Sequence, residues 1–171
     1  HSKPGLSPQQ ILDEYYSAFG PAENQVRQYF SHWEAVSNAV TEESYDKGWK
    51  KKGITDNPEH RFYRWAEQIF TPEVMLQGRE LIEQAKKAAA NDKEAFERVE
   101  FLDKGLRNAE LTLTAQAAYE EEKRTGNKNI FDTALAELVK FRKSSDALGI
   151  ANMGYLMRKE SATWDYSSYW P

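Results

Sequence analysis

The sequence predicts an all-α protein, a single helical bundle of about five to seven mostly antiparallel helices. The main observation is a series of apolar residues in alternating steps of four and three: Ala95, Val99, Leu102, Leu106, Ala109 and Leu113. Such steps keep side chains on one face of an α-helix, whereas a strand would need steps of two. A second observation is that the sequence contains no hairpin signal. A long apolar stripe has to be buried against other helices, which gives a bundle.

Length, charge and cysteine content exclude several classes of protein. The 171 residues suit one domain and are too few for a (β/α)₈ barrel, which needs about 250. The formal net charge of −4 argues against a general nucleic-acid binder. Cysteine is absent, so disulfides, thiolate metal sites and cysteine nucleophiles are excluded. No apolar run approaches the roughly 18 residues that span a bilayer, so no membrane insertion is expected.

The domain organisation follows from changes in composition along the chain. Residues 1–6 are polar, contain no signal-peptide core and are interpreted as a linker or the edge of a longer protein. Residues 7–160 carry the helical pattern and are predicted to form the bundle. Residues 161–171 are aromatic and lack a helical period, so we expect a C-terminal tail that packs on the bundle.

The first two helices have recognisable boundaries. Ser7 is a good helix cap, Pro8 suits the first helical position, and Gln10 can reach back as in a capping box. This helix is predicted to end at Gly20-Pro21. A second helix is predicted from about Ala22 to Val40 on its apolar spacing.

Residues 41–58 lose the helical period, and their glycines and the Asn57-Pro58 pair predict a loop. The helical pattern returns over residues 62–69. Thr71 is then a good cap for a further helix.

The rest of the chain predicts two more helical regions. Asn91-Asp92 separates the helix after Thr71 from the long helix of the opening stripe, which ends near Gly126-Asn127. A last helical region begins around Asn129 and continues through Leu156, either without interruption or with a break at Asp146 or Gly149. The predicted core residues share apolar character and helical spacing: Tyr15, Phe30, Trp33, Leu81, Val99, Leu102, Leu106, Leu138 and Phe141.

The sequence offers no metal or cofactor site. Its three histidines, His1, His32 and His60, do not have the spacing of paired helical ligands. His32 lies on a periodic helix and is interpreted as a surface or packing residue. There is no Gly-rich phosphate loop and no Ser-centred elbow, so no cofactor is predicted.

Carboxylate pairs do not indicate catalysis here. A glycosidase needs two carboxylates about 5 to 10 Å apart, and with 27 acidic residues some pair meets that distance by chance. A compact bundle offers few clefts to hold a substrate beside such a pair. The chain itself is therefore predicted not to be an enzyme.

One segment, Lys47 to Trp65, interleaves aromatic and basic residues, with four lysines and two arginines in 19 residues. Aromatic faces stack on sugar rings, and lysine or arginine pairs with carboxylate or sulfate groups, so this pattern favours an acidic-polysaccharide site. The alternative is that Phe62 and Trp65 belong to the core and that the lysines are simply solvated. The aromatic tail faces the same choice between a sugar platform and a wrap that closes the bundle. The predicted ligand-binding residues from both segments are Trp49, Lys50, Lys51, Lys52, His60, Arg61, Tyr63, Arg64, Trp164, Tyr166, Tyr169 and Trp170.

Several stretches together carry a family resemblance. They are Leu12–Ala22 (LDEYYSAFGPA), Gln28-Tyr29-Phe30 through Trp33-Glu34, Phe70–Glu73 (FTPE) and Arg98–Leu106 (RVEFLDKGL). In this order they resemble the helical C-terminal region of bacterial glycoside-hydrolase-like proteins related to α-glucuronidases and hexosaminidases. Those proteins combine a small sheet domain, a catalytic-type barrel and this helical region. The present chain lacks the barrel, so the resemblance carries no catalytic residue to any position here.

The resemblance implies a setting for the chain. It implies a secreted or periplasmic, polysaccharide-degrading parent protein, with the catalytic domain of the same chain as a partner. Within that setting we expect a non-catalytic accessory module that binds a polysaccharide, with an anionic one favoured. The alternative is a structural or interaction module that docks on the barrel or mediates dimerisation.

Overall fold

A computed structural model describes residues 5–51 and 65–146 together with positions 152, 155, 156, 160 and 164. Its helices are α1 (Pro8–Ser17), α2 (Glu23–Asn38), α3 (Glu42–Lys51), α4 (described over 65–69), α5 (Pro72–Ala89), α6 (Lys93–Thr125) and α7 (Asn129–Asp146). No strand occurs among these described residues. The predicted all-α helical bundle is therefore confirmed.

The start of α1 is the predicted capping box. The Ser7 hydroxyl accepts a hydrogen bond from the Gln10 backbone N–H at 3.3 Å, and the Gln10 side chain accepts from the Ser7 N–H at 2.8 Å. Pro8 occupies the first turn, where it has no hydrogen bond to lose. Two backbone N–H groups that a helix start leaves without partners are thus satisfied.

The segment between α1 and α2 differs slightly from its prediction. Helix α1 ends at Ser17, three residues before the predicted Gly20-Pro21, and a 3₁₀ turn spans Gly20–Ala22. Gly20 has a φ of 49°, in the left-handed region that favours glycine. A Cβ at Gly20 would also lie 3.2 Å from the Asp92 carboxylate, which is a tight contact, so the backbone conformation and the limited space both favour glycine.

The predicted loop over residues 41–58 is wrong where the structure describes it, because Glu42–Lys51 forms α3. The helix begins with a reciprocal pair of hydrogen bonds. The Thr41 hydroxyl accepts from the Ser44 N–H at 3.1 Å, and the Ser44 hydroxyl accepts from the Thr41 N–H at 2.9 Å. Glu43 and Lys47, four residues apart, then pair along the exposed surface. These local interactions favour a helix although the apolar residues of this segment lack a helical period. Residues 52–58 of the predicted loop lie outside the described residues.

The described residues separate into two compact units. Unit 1 takes its residues from His1–Ala39 and Pro72–Leu106, and unit 2 from Val40–Thr71 and Arg107–Pro171. The predicted boundaries of a domain at 7–160 with a tail at 161–171 stay a prediction.

The core of unit 1 is built largely from small and aliphatic side chains. Its central cluster contains Phe19, Ala22, Val26, Ala85, Ala89, Ala95 and Val99. Alanines bring the helix backbones close together. Gly78 on α5 goes further, because a Cβ there would overlap the Trp33 ring of α2. Unit 1 therefore depends on close approach of α2 and α5.

The core of unit 2 lies between α6 and α7. It contains Leu111, Ala115, Ala118 and Tyr119 from α6, Phe131, Leu135, Leu138 and Val139 from α7, and Trp164. Tyr119 and Trp164 both meet the Phe131 ring edge-to-face, at centroid distances of 5.2 and 6.0 Å. The tail tryptophan is therefore part of this core.

The stripe on α6 is only partly as predicted. Ala95, Val99 and Leu106 are buried and Leu102 partly buried, but Ala109 is exposed and Leu113 only partly buried. Within unit 1, α6 therefore buries Ala95, Val99 and Leu106. Within unit 2, it buries Leu111, Ala115, Ala118 and Tyr119 instead of the predicted Ala109 and Leu113.

The predicted core is correct for Val99, Leu106 and Leu138, which are buried. Five others are only partly buried: Phe30, Trp33, Leu81, Leu102 and Phe141. The prediction that Tyr15 belongs to the core is wrong, because Tyr15 is 45 % exposed on a helix with no buried residue. Helical spacing identifies the apolar face of α1 but not whether that face is covered.

Candidate interaction surface

Helix α1 presents three large apolar side chains to solvent. Ile11, Leu12 and Tyr15 are 44, 46 and 45 % exposed, and they are three of the six large exposed hydrophobic residues among those the structure describes. Ile11 and Tyr15 are four residues apart and Leu12 and Tyr15 three, so all three lie on one side of the helix. We call these three residues the α1 face. The other three, Leu76, Phe101 and Tyr155, lie on separate elements.

An aromatic cluster beneath the α1 face holds this helix on unit 1. The Tyr15 ring meets Phe19 and Phe30 edge-to-face at centroid distances of 5.5 and 5.8 Å, and Tyr16 meets Phe30 at 5.8 Å. Burial raises the pKa of the Tyr15 hydroxyl, with a smaller contribution from Tyr16. Tyr15 therefore packs inward along part of its ring while almost half of the side chain faces solvent.

Arg27 of α2 fixes the polar side of α1. Its guanidinium donates to Asp13 at 2.8 Å and to Glu23 at 2.9 and 3.0 Å, and it lies 4.4 Å from the Tyr16 ring centroid. The hydrogen bond from Arg27 is the main cause that lowers the pKa of Asp13, helped by one from Gln9. The carboxylates raise the pKa of Arg27 in return. This cation therefore joins α1 to α2 on the polar side of α1.

A second ion cluster joins α5 to α6 within unit 1. The Asp103 carboxylate accepts from Arg79 and from Lys86, the latter at 2.9 Å. Burial would raise the pKa of Asp103, but the hydrogen bonds and positive charges of Lys86 and Arg79 together lower it. The hydrogen bond to Asp103 raises the pKa of Lys86. The cluster ties two helices that otherwise meet through small side chains.

Unit 2 contains a charged pair in its interior. Arg142 of α7 and Glu160 have side chains 0 and 1 % exposed, and both nitrogens of the guanidinium fork donate to the Glu160 carboxylate. The remaining contacts of Arg142 are to α6: its Nε donates to Asn108 at 2.9 Å and its Nη2 to the Thr112 hydroxyl at 3.0 Å. The planar fork satisfies both carboxylate oxygens at once, as a bidentate pair requires.

The same polar row continues along α6. Gln116 is four residues beyond Thr112, and its side-chain oxygen accepts from the indole N–H of Trp164 at 2.6 Å. The Gln116 amide donates to Glu120, a further four residues along, at 3.0 Å. This i, i+4 row on α6 therefore supplies partners for both Arg142 and Trp164.

A shallow groove of about 360 Å³ lies between α6 and α7 in unit 2. Its floor contains Leu111 and Phe141, and its polar lining comes from Arg107, Glu137, Lys140 and Ser144. The lining therefore carries two cations and one carboxylate. One of the cations, Arg107, already lies 3.4 Å from the carboxylate of Glu110.

The sequence-predicted site residues are described only in part. Trp164 is 2 % exposed, so it presents no free ring face on which a sugar could stack. Trp49, Lys50 and Lys51 lie in α3, where the backbone alone is described. The other predicted ligand residues lie outside the described residues: Lys52, His60, Arg61, Tyr63, Arg64, Tyr166, Tyr169 and Trp170. Trp65, at the end of the same basic segment, is 4 % exposed and donates from its indole to Gln68 at 2.8 Å.

His32 has the packing role expected from its position. It is partly buried, its Nε2 lies 3.0 Å from the Val74 carbonyl of α5, and its ring meets Trp33 edge-to-face. Across the described residues, no group of three or more histidine and carboxylate side chains could hold a metal ion. The part of the chain that is described also contains no helix long and apolar enough to cross a membrane.

The buried Arg142–Glu160 pair was not predicted from the sequence. Arg142 follows Leu138 by four residues and Leu135 by seven, so it lies on the buried face of α7. A charged residue at an apolar position of a helix is the signal that could have found it. Its partner could not have been identified, because 18 residues separate Arg142 from Glu160.

Comparison of the chain with protein-family models, with curated proteins and with solved structures finds no match.

Proposed function

We propose that this chain is a non-catalytic accessory module that docks through the α1 face onto the catalytic-type domain of a polysaccharide-degrading protein. The observation that carries this proposal is the grouping of Ile11, Leu12 and Tyr15, each almost half exposed, on one side of α1. Contiguous exposed apolar groups mark interaction sites more often than scattered ones do. The nature of the partner, and a secreted or periplasmic location, are supported only by the family resemblance of the sequence.

The packing of α1 supports a docking role. A ten-residue helix is marginal in water without tertiary packing, and α1 has no fully buried residue. Its aromatic cluster and Arg27 nevertheless hold it in a defined orientation. A partner that covers the α1 face would complete the burial of an already ordered surface, which reduces the entropy lost on association.

Hydroxyl-radical footprinting tests this proposal directly. Oxidation of Tyr15 and Leu12 is measured in this chain alone and in the longer protein with the catalytic-type domain attached. We expect both residues to be protected in the longer protein, while Leu76 and Phe101 serve as exposed reference residues. Equal oxidation of Tyr15 in both proteins would contradict docking through the α1 face.

A matched variant separates docking from folding. Ile11→Ser and Leu12→Ser change side chains that are almost half exposed and take no part in the aromatic cluster, so the free energy of unfolding of this chain should change by no more than about 1 kcal/mol each. Association with the separately produced catalytic-type domain should weaken. The control is Leu76→Ser, an exposed position outside the α1 face, which should leave association unchanged.

Polysaccharide binding is the second candidate, favoured by the basic and aromatic residues from Lys47 to Trp65. Affinity electrophoresis through gels containing polygalacturonate or neutral dextran tests it. Retention by polygalacturonate that falls as salt rises, and that weakens when Lys50, Lys51 and Lys52 are changed to alanine, would support a charge-based site. Trp49→Ala should weaken a stacking contribution at every salt concentration. Absence of retention would leave docking as the function.

A further inference from the structure

We propose that the groove between α6 and α7 in unit 2 is a binding site for a small planar aromatic carboxylate. The order of charged and apolar side chains along the groove carries this proposal. It does not depend on docking through the α1 face, because that face belongs to unit 1 and every residue that lines the groove belongs to unit 2.

Two contacts define the register of α6 against α7. The Phe131 ring of α7 packs on Tyr119 of α6, at a centroid distance of 5.2 Å. Eleven positions further along α7, Arg142 donates to Asn108, which lies eleven positions earlier on α6. The two helices therefore run antiparallel and keep the same register between these contacts. This register gives the order in which the lining residues follow one another along the groove.

The charges of the lining are separated along that order. Arg107 and Ser144 lie level with each other at one end, and Lys140 follows about one turn further along. Glu137 lies at the other end, about 9 Å from Arg107 along the helix axis at 1.5 Å per residue. All four side chains are exposed. Two cations in one half of the groove and a carboxylate at its far end match a molecule with an anionic head and a hydrogen-bond donor at its opposite end.

The floor of the groove is apolar and favours a flat body between those two ends. Leu111 is 5 % exposed, and Phe141 is partly buried beside it. An aromatic ring covers such a floor and can pack against the Phe141 ring, whereas a small inorganic anion would leave it in water. The volume of about 360 Å³ is at the lower end of ligand sites, which suits one or two rings.

The two cations, rather than the hydroxyl group of the lining, are the groups that bind the anionic head. Arg107 donates to Glu110 at 3.4 Å, a long contact that orients the guanidinium and leaves further N–H donors for a carboxylate. The Ser144 hydroxyl already donates its proton to the Phe141 carbonyl at 2.6 Å. Glu137 accepts from a hydroxyl at the far end of the ligand and repels a second carboxylate there. The site therefore selects monocarboxylates over dicarboxylates.

Titration of the full chain with three related compounds, followed by backbone amide chemical shifts, tests the proposal. The probes p-coumarate, cinnamate and cinnamamide share a planar body; cinnamate lacks the hydroxyl, and cinnamamide lacks both the hydroxyl and the charge. We expect a dissociation constant on the order of 1 mM for cinnamate, about 3-fold tighter binding of p-coumarate, and about 5- to 10-fold weaker binding of cinnamamide. The shifts should centre on residues 107–111 and 137–144. Equal binding of cinnamate and cinnamamide, shifts confined to other residues, or no saturable shift by about 10 mM would each overturn the proposal.

Substitutions at exposed positions test the role assigned to each charge. Lys140→Gln and Arg107→Gln should each weaken cinnamate binding by about 3- to 5-fold and reduce its dependence on salt. Glu137→Ala should act in the opposite direction on cinnamate, with up to about 3-fold tighter binding, and should remove the preference for p-coumarate. Lys128→Gln is the control, because it removes an exposed cation outside the groove and should leave all three affinities unchanged. A loss of binding in Lys128→Gln equal to that in Lys140→Gln, or an undiminished preference for p-coumarate in Glu137→Ala, would overturn the proposal.

Discussion

The two units of the chain solve the packing of helices in different ways. Unit 1 packs its helices through alanines, the Gly78–Trp33 contact and an aromatic cluster, and it keeps its ions near the surface, with Arg79 and Asp103 side chains 25 and 21 % exposed. Unit 2 buries polar groups in its interior. All four buried polar or charged residues that the structure describes belong to unit 2: Gln116, Arg142, Ser145 and Glu160.

This difference shows how each unit specifies its arrangement. In unit 1, the shape of the contact between α2 and α5 determines how these helices pack, because Gly78 leaves just enough room for the Trp33 ring. In unit 2, hydrogen bonds determine the arrangement, because the Arg142 guanidinium has all its partners only in the observed position, between Asn108 and Glu160. A close-packed contact is sensitive to added volume, whereas a buried ion is sensitive to the loss of its partner. A substitution that adds volume at a close contact should therefore destabilise unit 1, and one that removes the partner of a buried ion should destabilise unit 2.

The largest effect is expected from Arg142→Met. It leaves the Glu160 carboxylate buried without its cation, which should lower the free energy of unfolding of unit 2 by about 3–5 kcal/mol. Urea denaturation followed by hydrogen exchange assigns the loss to a unit. We expect faster exchange in α7 and unchanged exchange in α2.

The matched control is Arg124→Met on the exposed end of α6. Arg124 also pairs with a glutamate, Glu121, at 2.6 Å, but its side chain is 72 % exposed. Water and salt screen such a pair, so its removal should leave stability unchanged within error. If both arginine variants destabilise equally, burial does not explain the role of Arg142.

The second effect is expected from Gly78→Ala in unit 1. The new Cβ would overlap Trp33 at Cζ2 and lie 2.9 Å from its Cη2. Forcing the ring away should cost about 1–3 kcal/mol, partly offset by the roughly 1 kcal/mol that alanine gains over glycine in a helix. The net result should be a loss of up to about 2 kcal/mol in thermal or urea denaturation, with faster exchange in α2 and α5.

Gly105 on α6 provides the control for this substitution. No atom lies within 4 Å of a Cβ placed there, so Gly105→Ala adds helix propensity without a clash. Stability should rise by about 0.5–1 kcal/mol. Destabilisation by both substitutions would mean that helix interiors here resist alanine for a reason other than the Trp33 contact.

The parts of the fold that were predictable from the sequence depend on local chemistry. Capping at Ser7, the Asn91-Asp92 break and the apolar face of α7 all depend on neighbours within a few positions, and the structure has each of them. The prediction that Ala109 and Leu113 continue the buried stripe was wrong, because the residues that a helix buries depend on which element lies beside it. Tyr15 was placed in the core for the same reason.

The candidate surfaces were less predictable than the fold. Both described tryptophans that the sequence associated with sugar stacking, Trp65 and Trp164, are buried. Aromatic residues suit a core and a ligand platform equally well, so composition does not separate the two. The α1 face and the Arg142–Glu160 pair both depend on exposure and on contacts distant in sequence, which a helical period does not contain.

The smallest effect concerns the Asp103 cluster of unit 1 and depends on pH. The folded-state pKa of Asp103 is lowered from its ordinary value of 3.8, so its contribution to stability is present above that value and is lost as the pH falls through the folded-state pKa. Because the cluster is partly solvated, Asp103→Asn should destabilise the chain at pH 7 by no more than about 1 kcal/mol. The difference in the free energy of unfolding between the native chain and the variant should shrink in urea denaturation series taken from pH 5 to pH 2.

Glu97→Gln on the same helix, in an exposed pair 3.9 Å from Lys93, is the control, and its free energy of unfolding should equal that of the native chain at every pH. A difference between native chain and Asp103→Asn that stays constant down to pH 2 would mean that the carboxylate charge is not what joins α5 to α6. In that case, packing alone would hold α5 against α6 in unit 1, whereas an ion pair contributes in unit 2.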